Sequence, residues 1–457
     1  MKNLFKLIFV LTAAGFLFAS CEGPMGPAGK DGTNGAKGAD GQDANETCKL
    51  CHNPEVVDLI ATQFELSKHS YGEAAFEEAG NTTCAPCHES EAFKYVCANN
   101  IPSTFTLQAN GKYKNNYQTT ADKAYGDISC FTCHSKLHTD YASTEFSPLT
   151  NTAAVSMTMW AGTKEINIAK ESGMGNLCVK CHQPRPLTTS TSITDGRVVD
   201  YDSLANFPNL VFYDSLVGNK HPNKVIPSYR THVHYGTVSA IFAGVGGIEF
   251  PGDALYENSP HASGASCIDC HMVEPDAING RSGGHTFRVR NGEGALTSQT
   301  TWNFNGCNTA LCHNGAMSSS SADWTETRAD VKDLLDQLAS KINEVGGATP
   351  ILHSESDGEA NLWAGCTTGN WDGYLNIYDP SSNPGGVWKN PGNTSSYTPG
   401  QKAINDALPK FPSLTNGVMG AMINFQMCLR EFSLGIHNTK YTKALLNNTL
   451  QTLNEPV

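Results

Sequence analysis

Cys267-Ile268-Asp269-Cys270-His271 holds two thiols three positions apart, with an imidazole directly after the second. The same spacing recurs as CKLCH at 48–52, CAPCH at 84–88, CFTCH at 130–134 and CVKCH at 178–182. Two intervening residues let both thiols reach the two vinyl groups on one porphyrin edge, while the adjoining histidine turns under the ring to bind iron. This is the attachment pattern of haem c. Zinc sites also use CxxC pairs, but their histidines stand in a second half-site, three to five residues apart. A thioredoxin-like redox motif would occur once beside a βαβ unit. A disulfide framework would not place histidine after every pair. The expected attachment residues are therefore Cys48, Cys51 and His52; Cys84, Cys87 and His88; Cys130, Cys133 and His134; Cys178, Cys181 and His182; and Cys267, Cys270 and His271.

CNTALCH at 307–313 is a longer variant, with four residues between Cys307 and Cys312 before His313. It still offers two thiols and a neighbouring imidazole, so six haem c groups are expected, five by CxxCH and one by CxxxxCH. The alternative is a Cys307–Cys312 disulfide beside an unrelated histidine. With twelve of the sixteen cysteines assigned to haem and Cys21 to a lipid, Cys97, Cys366 and Cys428 remain. An odd remainder admits at most one internal disulfide. Cys366 with Cys428 is the natural pairing, since both lie in the haem-free C-terminal part, but connectivity stays open.

Each iron needs a second axial ligand or an open position, and that choice separates an electron carrier from an enzyme. Six of the fifteen histidines follow thiols, which leaves His69, His138, His221, His232, His234, His261, His285, His353 and His437. That supply is enough for bis-histidine ligation throughout, which leaves no room for a substrate. With histidine plentiful, Met157, Met159, Met174 and Met272 read as gap fillers in a core, and low-potential haems are expected.

KHSYG at 68–72, THVHYG at 231–236 followed by GVGG, ENSPHASGASCIDCHM at 257–272, GGHTF at 283–287 and GIHNTKY at 435–441 resemble segments of bacterial multihaem cytochromes related to the tetrahaem and pentahaem nitrogen-cycle proteins. The resemblance spans most of the chain from Cys48 onward. It implies distal haem ligation by His234, His261, His285 and His437. The local contexts of His69, and of His138 in CHSKLH, add two more. His232 competes with His234, while His221 and His353 read as surface residues. The lysine-ligated CxxCK variant of pentahaem nitrite reductases is absent.

The N-terminus reads as an export signal over 1–20. Lys2 and Lys6 precede an apolar run from Leu7 to Phe18, and Ala19 and Ser20 precede Cys21. That run falls short of the ~20 residues a membrane-spanning helix needs. A cysteine at the cleavage point resembles a bacterial lipobox and would tether the chain to a membrane through lipid on Cys21. Phe18 replaces the usual aliphatic residue, which keeps plain secretion as the alternative. From Gly23 to Gly41 glycine falls at every third position, the period of a collagen triple helix. Prolines occur there only at Pro24 and Pro27, so residues 21–45 are expected to form a hydrophilic stalk, with a trimerising segment as the alternative.

Only 39% of residues are hydrophobic, against 43 glycines and 22 prolines, a loop-rich balance that leaves little for a conventional core, so stacked porphyrins are expected to replace an ordinary apolar interior. The expected fold is mainly α with extensive loops and little β, a multihaem cytochrome c fold packed around six covalent haems. The haem domain spans 46–315, and a helical C-terminal region, 316–457, packs on it. Helical spacing predicts helices over Asp323–Val345, Ala403–Leu408 and Gly417–Phe432. A loop runs from about 364 to 400, and RVVDYDSL and NLVFYDSLV in the long 183–266 gap suggest a hairpin or loop excursion.

A net charge of −13 argues against nucleic acid, whose recognition needs clustered Lys and Arg. The expected function is electron transfer at the outer membrane or cell surface, with a periplasmic location as the alternative. Expected partners are redox proteins and extracellular electron acceptors. A homo-oligomer or conducting filament is a second reading. The rival from another class is a multihaem reductase of a small nitrogen or sulfur oxyanion with one open haem site, which is an oxidoreductase rather than a carrier.

Overall fold

In the computed structural model, four of the CxxCH segments fold around single helical turns. A helical turn sets residues three and four apart on one face, so both thiols and the following imidazole share a side. These turns belong to α3 (Ala85–His88), α5 (Cys130–Cys133), α6 (Gly175–Val179, whose turn runs on to Cys181 and His182) and α10 (Cys267–His271). Two start on a serine whose backbone N–H is capped from the third position on. Ser129 N–H donates to Thr132 Oγ1 at 2.9 Å, and Ser266 N–H donates to Asp269 Oδ2 at 2.6 Å.

The structure describes residues 53–71, 81–107, 109, 113–120, 126–134, 149–160, 162–185, 199–210, 234, 236–275, 280–291, 300–346, 352–354, 371–375 and 415–455. The signal at 1–20, Cys21, the stalk at 21–45, Cys48, Cys51, His52, His138, His221, His232 and Cys366 lie outside them, as do the expected helix at 403–408 and the side chain of His353. Glu55–Val457 groups into one compact unit.

The described part is mainly helical with extensive loops and little strand. The remaining helices are α1 (Pro54–Glu65), α2 (Lys68–Tyr71), α4 (Ser90–Ala98), α7 (Tyr201–Asn206), α8 (Val238–Ala243), α9 (Pro260–Gly264), α11 (Ala322–Gly346), α12 (Asn416–Arg430) and α13 (Thr439–Asn454). The strands form antiparallel pairs: β1 (Phe105–Leu107) with β2 (Tyr113–Asn115), β3 (Val155–Met157) with β4 (Lys164–Ile166), and β5 (Leu352–Ser354) with β6 (Trp371–Leu375). Among the described residues no helix is long and apolar enough to cross a membrane.

An ordinary side-chain core does form, contrary to the expectation from composition alone. The reason is placement rather than amount: α12 is rich in apolar residues, while α11 and α13, of average composition, turn theirs (Val331, Leu335, Leu338 and Ile342; Tyr441, Leu445 and Leu446) onto it together with Val155–Ile168, Val199–Ala205 and Ala240–Phe250. Every residue of α12 is buried, as expected of a helix with no charge before Arg430 and neighbours on several sides. Met157 and Met159 are fully buried in this core, where their flexible thioethers fill space. Cys428 also sits there with a free thiol, and burial pushes its pKa up.

Three local expectations change. RVVDYDSL does not make a hairpin strand at its end, because Asp200 Oδ1 accepts the Ser203 N–H at 3.0 Å and starts α7. Trp371–Leu375, inside the expected loop, is a strand because it pairs with Leu352–Ser354. The last helix, α13, was not anticipated; Asn438 caps it and Tyr441, Ala444, Leu445 and Leu450 bury one face.

Asn424 joins the C-terminal helices to the rest. Its Oδ1 accepts the Ile248 N–H at 2.8 Å, and its Nδ2 donates to Ile248 O at 2.8 Å and Thr449 Oγ1 at 2.9 Å. Asn424→Ala leaves the buried Ile248 N–H without a partner, at a cost of ~1–3 kcal/mol, while Ile248 O keeps the Phe250 N–H at 3.1 Å. The expected loss of about 1–3 kcal/mol is read as a lower denaturant midpoint at unchanged slope.

Candidate functional site

Five of the histidines expected as distal ligands are described, and each stands opposite a histidine that follows a thiol pair. Ring centroids are 5.9 Å apart for His69 and His182, 6.2 Å for His88 and His234, and 6.4 Å for His134 and His285. They are 6.0 Å apart for His261 and His313 and 6.3 Å for His271 and His437. Two imidazoles joined directly by a hydrogen bond of ~2.9 Å would have centres ~5 Å apart. One metal atom between them, at ~2.0 Å from each nitrogen, sets the centres ~6.3 Å apart. The observed separations match the second case. The donor set therefore fits a haem iron, which takes two protein ligands and its other four from the porphyrin. Among the described residues, no group of three or more His, Cys, Asp or Glu is arranged to hold a metal by itself.

The chain also sets the tautomers. His271 Nδ1 lies 2.9 Å from Phe287 O, His261 Nδ1 lies 2.8 Å from Ile436 O, and His437 Nδ1 lies 2.6 Å from Glu431 Oε2. Carbonyl and carboxylate oxygens only accept, so each Nδ1 carries the proton and Nε2 is left with a lone pair for metal. Burial pushes the pKa values of His69, His134, His271 and His285 down, favouring the neutral form that ligation needs. His182 is the one exposed ring of the ten. Burial, with smaller effects from His69 and His271, nevertheless pushes its pKa down to about 4. His134 Nδ1 is buried without a hydrogen-bond partner.

The longer motif closes like the short ones. His313 N–H donates to Cys307 O at 2.9 Å, as His134 N–H does to Cys130 O at 3.0 Å and His182 N–H to Cys178 O at 2.8 Å. The two additional residues bulge outward, leaving Leu311 99% exposed. Cys307 and Cys312 are free thiols, not a disulfide.

Neighbouring motifs touch. Cys87 Sγ lies 3.8 Å from Lys180 O and Cys181 Sγ 4.0 Å from Pro86 O, a reciprocal contact between two attachment turns. The helix Gly175–Val179, which carries Cys178, also packs against Cys267–His271. Three imidazole pairs meet at Phe287. Its ring centroid is 4.8 Å from that of His69 and 5.8 Å from that of His285, while its carbonyl serves His271.

Four positioning residues were not singled out from the sequence, although Phe287 and Asn438 lie within the segments GGHTF and GIHNTKY. Buried Gln63 accepts the His285 N–H at 3.0 Å. Phe287 adopts a left-handed φ of 55°, uncommon outside glycine. Asn438 donates to Ile241 O, Phe242 O and Asn258 Oδ1, and accepts the Ser259 N–H at 2.9 Å, so it ties the segment around His437 to that before His261. Glu431 accepts from His437, Ser433 and Gly435. Burial raises its pKa, but these hydrogen bonds and the imidazole of His437 outweigh it and hold the carboxyl below its ordinary range. An Asn next to a candidate histidine was the one available sequence signal.

Cys48, Cys51, His52 and His138 lie outside the described residues, as do the competitors His221 and His232. No family model, curated protein or solved structure matches this chain.

Gly236, two residues after His234, packs on the backbone of the 178–182 motif, and a Cβ there would meet Gln183 O at 2.5 Å. His234 itself has a left-handed φ of 67°. Gly236→Ala must push this loop away and is expected to cost about 1–3 kcal/mol, measured by thermal or denaturant unfolding.

Proposed function

We propose that this chain is an exported multihaem c-type cytochrome that transfers electrons through six covalently attached haems, mostly ligated by two histidines. The observation that carries the reading is the set of five imidazole pairs, each with one member directly after two cysteines and each spaced for a single intervening metal. When bound, haem c supplies an iron that exchanges one electron. The chain's own residues do the rest. The cysteines tie each porphyrin in place, the Nδ1 acceptors hold ring orientation, and an imidazole on both sides excludes substrate from the metal.

Cys48, Cys51 and His52 would hold the remaining haem, with His138 as its distal ligand. The segment likeness to tetrahaem and pentahaem nitrogen-cycle cytochromes supports the same reading. Cys21 would carry the lipid of an outer-membrane or cell-surface protein, and the net charge of −13 favours cationic redox partners or metal-containing acceptors.

Purified protein should contain six haems per chain by haemochrome absorbance and by mass, with an oxidised spectrum that is low-spin throughout. Replacing both Cys307 and Cys312 with Ser should remove one haem. His69→Ala should convert one haem to high spin while the others stay unchanged. A colourless, folded preparation without porphyrin adducts would refute the proposal, and a high-spin component in the unaltered protein would point instead to an open, catalytic haem.

A further inference from the structure

The five imidazole pairs do not share one electronic environment. His271 and His261 give their Nδ1 protons to the neutral carbonyls of Phe287 and Ile436. His437 gives its proton to a carboxylate, Glu431 Oε2, at 2.6 Å. That carboxylate is 0% exposed and is held in place by the Ser433 N–H at 3.1 Å, the Ser433 hydroxyl at 2.7 Å and the Gly435 N–H at 2.9 Å. A buried charge is costly unless hydrogen-bonded, and here three donors besides the histidine satisfy it. The loop Glu431–His437 is thus wound around one carboxylate, with Leu434 at φ 56° and Gly435 at φ 85° completing the turn.

A carboxylate on Nδ1 draws the proton toward itself and gives the ring imidazolate character, so Nε2 becomes a stronger donor. Stronger donation stabilises the oxidised metal, and the buried negative charge acts in the same direction. We infer that Glu431 is a positioning residue that lowers the potential of the haem held by Cys267, Cys270, His271 and His437 below that of the haem of His261 and His313, where His261 Nδ1 meets a neutral carbonyl. This rests on the proposed haem ligation, and it goes further by assigning one haem a distinct energetic place in the chain.

The test is a potentiometric titration of the haem-loaded protein, followed by absorbance and by electron paramagnetic resonance. Glu431→Gln keeps the shape and an accepting oxygen but removes the charge. It should move one haem upward by at least tenfold in its reduction equilibrium, about 59 mV for one electron. The same haem should lose its narrowed, imidazolate-type low-spin spectrum, with haem count unchanged. Glu431→Asp keeps the charge and should lie closer to the unaltered protein than to E431Q. The inference is overturned if E431Q retains all haems yet leaves every midpoint in place, or if Glu431→Asp shifts as far as Glu431→Gln. Should E431Q lose its haem, the unaltered protein decides: it must show one component with the narrowed spectrum, and the absence of that component overturns the inference. Failure of the underlying reading would look different, since the unaltered protein would then contain no haem.

Discussion

The described imidazole pairs keep their centres close to 6 Å apart, the separation a single shared metal would require, and they do so from places far apart in the chain. His182 faces His69, His134 faces His285, and His271 faces His437. A local turn can aim one ring, but it cannot aim its partner. The long-range packing of α12 and α13 against the segments around Ile248 and Ser259 therefore does more than bury apolar area. It sets the distance across which the last pair meets, through Asn424, Asn438 and the loop that begins at Glu431.

Division of labour follows. The half of each described site that carries the thiols is built by one helical turn, or by a bulged equivalent at Cys307–His313. The opposite half comes from irregular backbone: left-handed φ at His234 and, beside His285, at Phe287. Such conformations persist only where neighbours over-determine them, and Gln63 and the close approach of Gly236 to Gln183 supply that support.

This explains what could be read from the residues alone. The thiol motifs are contiguous, so spacing and side-chain chemistry suffice to find them. The partners of five of them were nominated from short segments around His69, His234, His261, His285 and His437, and these are the histidines found opposite. Mainly helical architecture and the helix over Ala322–Gly346 were legible from periodicity. Glu431, Gln63 and Phe287 were not, because each acts through a contact that depends on the fold and leaves no spacing behind. The apolar core was underestimated for a related reason: average composition hides both the apolar richness of α12 and the spacing that buries the fewer apolar residues of α11 and α13.

The loop between Glu431 and Asn438 has a consequence of its own. Ile436 O orients His261, while the next residue, His437, faces His271. Two rings that belong to different pairs thus hang from adjacent peptide units. A shift of this short span reaches both pairs together, so they behave as a yoked couple whose geometries drift or recover in step.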